Sequence, residues 1–326
     1  MVESFKAEMK KMFEMNDLGI MSYFLGLEVK QDKLGIHISQ RKYIEDLLKS
    51  YNMMNCKTMP TPISASIKLQ GDDNSGEVDA KSYRSLIGKL MYITHSRPDI
   101  TYSVHLLSRF MNKPTKLHFS AGKRILRYLA GTLNYGIWYK RTDSLNLEGF
   151  SDSDWGGCLE DRKSTTGVVF SLGSGAISWL SKKQEVIALS STEAEYIALC
   201  AAICQGIWLS RVLGDCGVKL ANPFVMWCDN KACIQIANNP VQHGRTKHID
   251  VKFHFIRDMV AKGIVDLKFC SSDGQAADGF TKPLSVQKHM QMCNMLGVNN
   301  PQTRGGIVGL CLQDYDCIPV EDQLKT

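Results

Sequence analysis

Hydrophobic positions recur along this chain with two periods, and each change of period marks a new element. Over residues 4–18, Phe5, Met9, Met12 and Phe13 fall at helical spacing among lysines and glutamates, which predicts an amphipathic helix closed by Gly19. Residues 21–29 and 34–38 predict two strands around a polar turn at Gln31, Asp32 and Lys33. A second helix follows over 40–51, with Tyr43, Ile44, Leu47 and Leu48 on one face. Pro60 and Pro62 cannot continue it, because proline lacks the amide donor and restricts its predecessor. Beyond the polar loop 70–76 come three helical patterns, over 83–94, 100–111 and 117–129, punctuated by Pro98 and Pro114 and ended by Gly131.

From residue 145 the order becomes strand, strand, strand, helix, strand, helix. Strands are predicted over 147–152, 166–172 and 176–180, the last two joined through Gly173, Ser174 and Gly175. A long helix over 192–212 has Ser190, Ser191 and Thr192 available as N-cap side chains. An apolar strand over 224–228, a helix over 231–237 and another over 248–260 complete the series. This pattern implies an α/β (α+β) chain with a mixed sheet and flanking helices. The stretch from residue 299 has no period and reads as a loose tail.

Composition changes this picture little. A chain of 326 residues is longer than one ordinary domain, and 44% hydrophobic residues suffice for real cores. The formal charge of +6 suits a phosphate-binding surface without requiring one. The 11 cysteines are odd in number, scattered and form no C-x-x-C pair, which argues against a zinc knuckle or a thioredoxin-like motif and for a reducing compartment. Residues 1–6 do not start a secretory signal, and no apolar run approaches the roughly 20 residues of a membrane span. The expectation is a soluble intracellular protein, in cytoplasm or nucleus.

Candidate chemistry lies in where acids fall. Asp152 and Asp229 each end a hydrophobic strand, Glu195 sits in the first turns of the long helix, and Asp278 follows in a helical turn. Singly, each has an ordinary reading: a strand-end aspartate as a turn residue, a glutamate near a helix N-terminus as a partner of the dipole. Delivered to one edge, the four would repel one another unless divalent cations neutralised them, and hard oxygen ligands are what magnesium prefers. Two such ions are the arrangement of phosphodiester-cleaving nucleases. Arg245, Lys247 and His248, and separately Lys182 and Lys183, are candidate phosphate contacts, against an equal weight for solvated charges. Lys123, Arg124 and Arg127 form a basic side of one helix.

Several segments carry a family resemblance. They include Phe24-Leu25-Gly26-Leu27-Glu28-Val29, Tyr83-Arg84-Ser85-Leu86-Ile87-Gly88-Lys89-Leu90, Ser96-Arg97-Pro98-Asp99-Ile100 and Lys123-Arg124-Ile125-Leu126-Arg127-Tyr128. They continue with Ser151-Asp152-Ser153-Asp154-Trp155, Ser190-Ser191-Thr192-Glu193-Ala194-Glu195-Tyr196, Cys228-Asp229-Asn230, Arg245-Thr246-Lys247-His248-Ile249-Asp250 and Ala277-Asp278-Gly279-Phe280-Thr281-Lys282-Pro283-Leu284. In family order over residues 1–296, they resemble the C-terminal part of the Pol polyprotein of copia-type long-terminal-repeat retrotransposons.

That resemblance implies a C-terminal fragment of reverse transcriptase over 1–64, a helical thumb or connection region over 65–145, a ribonuclease H-like domain over 146–296 and an irregular tail over 297–326. It implies metal-dependent hydrolysis of the RNA strand of RNA–DNA hybrids. Asp152, Glu195, Asp229 and Asp278 would be catalytic and metal-binding, with two Mg2+ ions, or Mn2+ in their place. The implied partners are the hybrid and the rest of a Pol polyprotein, with no membrane. Glu195 is preferred to Glu193 because Ala194-Glu195-Tyr196-Ile197-Ala198-Leu199 resembles the pattern around the helix glutamate of related enzymes; Asp152 and Asp154 both stay open as the first ligand.

Three departures qualify the resemblance. The polymerase hairpin Tyr-x-Asp-Asp does not occur, and Asp72-Asp73 follow Gln70-Gly71 in a linker, so DNA synthesis by this chain is not expected. Residues 269–277 hold no histidine, leaving His248 or His254 as the available substitutes for the one that related ribonucleases carry there. Gly279 should loosen Asp278 by a helix-propensity cost of about 1 kcal/mol. The rival reading is a catalytically inactive retrotransposon remnant that at most binds nucleic acid. A third is a decayed fragment whose first 64 residues do not fold stably.

Overall fold

Two five-stranded sheets organise the chain, shown here by a computed structural model that describes residues 2–17, 19–142, 145–220, 223–238 and 250–300. The first sheet is antiparallel, with β1 (Tyr23–Phe24), β2 (Leu27–Asp32), β3 (Gly35–Ser39), β4 (Gly136–Lys140) and β10 (Val298–Asn299) in the order β1-β2-β3-β4-β10. The single strand expected over 21–29 is a hairpin. Leu25 and Gly26, at φ 46° and 75°, turn the chain between β1 and β2 through the left-handed region. The next turn falls at Lys33 and Leu34, where the Asp32 carboxylate accepts from the amides of Leu34 (2.7 Å) and Gly35 (3.1 Å). Residue 299, expected in the loose tail, instead pairs with Gly136.

The helical patterns became α1 (Val2–Met12), α2 (Arg41–Ser50), α3 (Ala80–Ile93), α4 (Thr101–Ser108) and α5 (Lys116–Gly131). α1 stops short of the expected residue 18, and its apolar residues Phe5 and Met12 meet solvent. The other four share one core, in which Ile44 and Leu48 of α2 meet Leu86, Ile87 and Leu90 of α3, Leu107 of α4 and Ile125 and Leu129 of α5. Their spacing by threes and fours puts these residues on single faces. Asp79 caps α3 by accepting from the Lys81 and Ser82 amides, and Thr115 caps α5 in a reciprocal box with His118.

The second sheet has the order β7-β6-β5-β8-β9, from β5 (Leu147–Asp154), β6 (Thr165–Leu172), β7 (Gly175–Lys183), β8 (Phe224–Cys228) and β9 (Val265–Phe269). β5, β6 and β7 form an antiparallel meander. α6 (Ser191–Asp215) then crosses over to β8, parallel to β5, and α7 (Lys231–Asn238) and α8 (Asp250–Ala261) lead to β9, parallel to β8. Side chains alternate between the two faces. Val168 and Phe170 pack toward Leu199 and Ile203 of α6, while Val169 packs toward a 3₁₀ helix (Ala276–Phe280) and α9 (Val286–Met295). A sheet covered on both faces explains the unbroken buried run through β6. The fold class is as expected: an α/β chain whose mixed sheet is flanked by helices.

One expectation about composition fails. α6 is, by length and composition, long and apolar enough to cross a membrane. Its Tyr196, Leu199, Ala202, Ile203 and Leu209 pack into the core beside the sheet instead, and it buries Glu193 and Glu195 in its first turns. It is the core helix of this sheet.

Candidate metal centre

Parallel pairing sets the site. β5 and β8 run side by side in one direction, so the aspartates at their C-terminal ends emerge at the same edge. The 3₁₀ helix packed on β5 and β6 brings Asp278 there from below, and the first turns of α6 bring Glu195. One oxygen each of Asp152, Asp229 and Asp278 lie within 4.8 Å of one another. Ligand atoms of Glu195, Cys228 and Asp229 do likewise, so Asp229 joins all four expected acids into one cluster.

Three of these acids are nearly inaccessible, with Asp152 2%, Glu195 7% and Asp278 5% exposed. Burial and mutual repulsion therefore act together. Burial, then Asp152, Cys228 and Asp229, push the Glu195 carboxyl up to about 10. Burial and Asp152 raise Asp278 to about 6, against the pull of Lys282, and raise Asp229 as well. Asp152 is held by a hydrogen bond from the Thr281 hydroxyl. The Lys282 ammonium lies 2.8 Å from Asp278 Oδ1 and 3.6 Å from Asp152 Oδ2, the one cation placed among the acids in the described residues. Glu195 Oε1 accepts from the Ser153 amide at 3.1 Å, while its buried Oε2 has no hydrogen-bond partner. An orphaned buried carboxylate oxygen beside three hard oxygen donors fits a divalent cation.

The local structure separates the paired alternatives. Glu193 belongs to the helix cap: its amide donates to Ser190 Oγ at 3.1 Å, and its Oε2 accepts from the Leu189 amide at 2.9 Å. Asp154 folds back on β6, where its carboxylate accepts from the Thr165 amide; burial raises it to about 7 despite Arg109. Trp155 is 59% exposed, and its ring nitrogen donates to Ala188 O at 3.0 Å. At Gly279 a Cβ would sit 1.8 Å from Met292 Sδ, so a larger residue there would have to displace the Met292 side chain of α9.

The basic candidates are less united. Lys183 Nζ is 2.8 Å from Asp161 Oδ2, and the exposed Lys182 is 3.3 Å from Glu185. Arg245, Lys247 and His248 lie outside the described residues. His254 is exposed on α8. Thr281 and Lys282 were read only as motif letters, yet their spacing of three and four from Asp278 is the signal that would have placed them at the site. Arg97 and Asp99 were likewise unassigned. They form a fully buried pair at 2.7 Å, extended by the Tyr128 hydroxyl, which donates to Asp99 at 2.6 Å, and by His289, 2.9 Å from that hydroxyl. Asp99, His289 and Cys293 also cluster closely, but Arg97 already occupies both Asp99 oxygens.

The family described as reverse transcriptase (RNA-dependent DNA polymerase) matches residues 1–65. The retrovirus-related Pol polyprotein from transposon RE1 of Arabidopsis thaliana is 42% identical over 286 residues, 88% of this chain. The chain is thus similar to the Pol polyproteins of copia-type retrotransposons. Its similarity to the Pol polyprotein from transposon TNT 1-94 of Nicotiana tabacum is 37% over 305 residues, 91% of the chain. The chain spans only 20% and 23% of these two copia-type relatives. Among solved structures, LC11-RNase H1 in complex with an RNA/DNA hybrid aligns with 42% of this chain and 94% of its own, at 15% identity and a TM-score of 0.32.

Proposed function

We propose that residues 146–296 hydrolyse the RNA strand of an RNA–DNA hybrid with divalent cations held by Asp152, Glu195, Asp229 and Asp278. The observation that carries this reading is the approach of the Asp152, Asp229 and Asp278 oxygens to within 4.8 Å at the ends of β5, β8 and the 3₁₀ helix. The donor set favours Mg2+, with Mn2+ as a substitute, and its acids are enough for two ions. A bound pair would supply the Lewis acidity for phosphodiester hydrolysis.

The chain's own groups have separable tasks. Thr281 orients Asp152, the Ser153 amide orients Glu195, and Lys282 balances the acids and gives way as cations enter. Lys182, Lys183, Arg245, Lys247 and His248 remain the proposed contacts to the hybrid backbone, read by shape and 2′-hydroxyls rather than by base. The chain carries no Tyr-x-Asp-Asp, so the reading is restricted to hydrolysis.

The test is cleavage of a hybrid labelled on each strand in turn, with Mg2+, with Mn2+ and with EDTA. EDTA-sensitive cutting of the RNA strand alone is expected, and Asp229→Asn should abolish it while leaving thermal unfolding intact. Unchanged cutting by that variant would sink the assignment. One observation favours the rival, a binding remnant: Lys282 already neutralises part of the cluster. Hybrid binding without product at any metal concentration, by a folded preparation, would decide for it.

A further inference from the structure

A cavity of about 490 Å³ lies away from the carboxylates, between the C-terminal end of α2, the segment 51–67 and α5. The segment is strapped across the helix. Arg127 Nε donates to Lys57 O at 2.6 Å, the Met59 amide donates to Arg127 O at 3.3 Å, and Arg124 Nη2 donates to Thr61 Oγ1 at 3.0 Å. The lining divides by chemistry. Tyr51, Met53, Met59 and Leu117 give an apolar wall, while Lys57, Lys123, Arg124 and Arg127 give cations, and no carboxylate lines it.

The cations lack a counter-charge. Among the described residues, none of the four pairs with an acid, and Arg124 Nε is buried with no hydrogen-bond partner. Burial, and then Arg127, pull the Arg124 guanidinium below its ordinary range. Like charges desolvated together are costly unless an anion joins them. The volume falls in the range of about 300–1,000 Å³ typical of small-ligand sites. An inorganic ion would use the cations and leave the apolar wall wet, whereas a phosphate carried on a flat ring uses both, since tyrosine and arginine stack on bases.

We propose that this cavity binds a nucleotide unit, its phosphate against Lys123, Arg124 and Arg127 and its base against Tyr51 and Met53. Either a free nucleotide or an unpaired nucleotide of a single strand offers that chemistry. The site is independent of the hydrolysis proposed above, and can be tested with EDTA present throughout.

Cys56 lines the cavity and is half-buried, so a ligand there should shield it from alkylation. The full chain is treated with iodoacetamide, and Cys56 modification is followed by mass spectrometry in the presence of adenosine monophosphate, a short oligothymidylate or inorganic phosphate. Shielding by the mononucleotide supports the site for a free nucleotide, and shielding by the oligonucleotide alone supports it for a strand. In parallel, anisotropy of the labelled oligothymidylate should weaken about tenfold in Lys123→Glu, a variant that leaves the strap bonds in place, and the salt slope should fall by about 0.7. Asp229→Asn should bind like the unaltered chain, which keeps this outcome separate from that of the cleavage assay. No shielding by either nucleotide form, equal shielding by phosphate alone, or unaltered binding by Lys123→Glu would overturn the proposal.

Discussion

Replacing Glu195 by Gln should make the metal-free protein more stable and the metal-bound protein unattainable. The glutamate is buried beside Asp152 and Asp229, and its carboxyl is pushed from an ordinary 4.5 to about 10. An acid whose pKa is raised in the folded state binds its proton more tightly there than in the unfolded chain. Stability is therefore full below the ordinary value and falls as pH rises, until the folded-state value is passed. Each pH unit in that window costs about 1.4 kcal/mol, so holding Glu195 protonated near pH 7 costs up to about 3.5 kcal/mol. Glutamine keeps the bond from the Ser153 amide and removes the titration. Urea unfolding in EDTA, at about pH 5 and about pH 8, should show a gain for Glu195→Gln that grows with pH, by at most about 4 kcal/mol over that interval because the cluster relaxes. Added Mg2+ should then stabilise the unaltered protein by mass action and leave the variant where it was. A gain that is absent, or equal at the two pH values, would refute the buried-cluster reasoning.

Lys282→Met removes the ammonium from beside Asp278 and Asp152. The metal-free protein should lose stability, while Mg2+ should bind more tightly by calorimetry because nothing has to be displaced; weaker binding would show that the lysine supports the ion instead. Arg97→Met strands the fully buried Asp99 and should cost about 3–5 kcal/mol in urea unfolding. Adding Asp99→Leu to it should recover much of that loss, and a single variant within about 0.5 kcal/mol of the unaltered chain would contradict the buried pair.

Much of this protein is set by local sequence. The faces of α2, α3 and α5 follow from apolar residues at threes and fours, and β5, β6 and β8 follow from hydrophobic runs ended by acids or glycine. Position in those runs also put Asp152 and Asp229 at strand ends. What sequence spacing could not supply is long-range pairing. β4 joins β3 across nearly a hundred residues, and β10 closes that sheet from the far end of the chain. β9 escaped notice because a short strand with Val265 and Leu267 alternating against Asp266 and Lys268 shows its period only beside β8.

The site divides in the same way. Resemblance of the segment 194–199, rather than spacing, singled out Glu195 over Glu193, and the structure shows Glu193 serving the helix cap. Local sequence left Asp152 and Asp154 open, because residues two apart on a strand share a face by period. Only the packed sheet separates them, by offering Asp154 the Thr165 amide while Asp152 meets Thr281, Asp229 and Asp278. The same holds for Lys282 and for the Arg97–Asp99 pair. Charge and helical spacing can be read along a chain, but the cost of burying a charge, and the partner that offsets it, exist only once distant segments have come together.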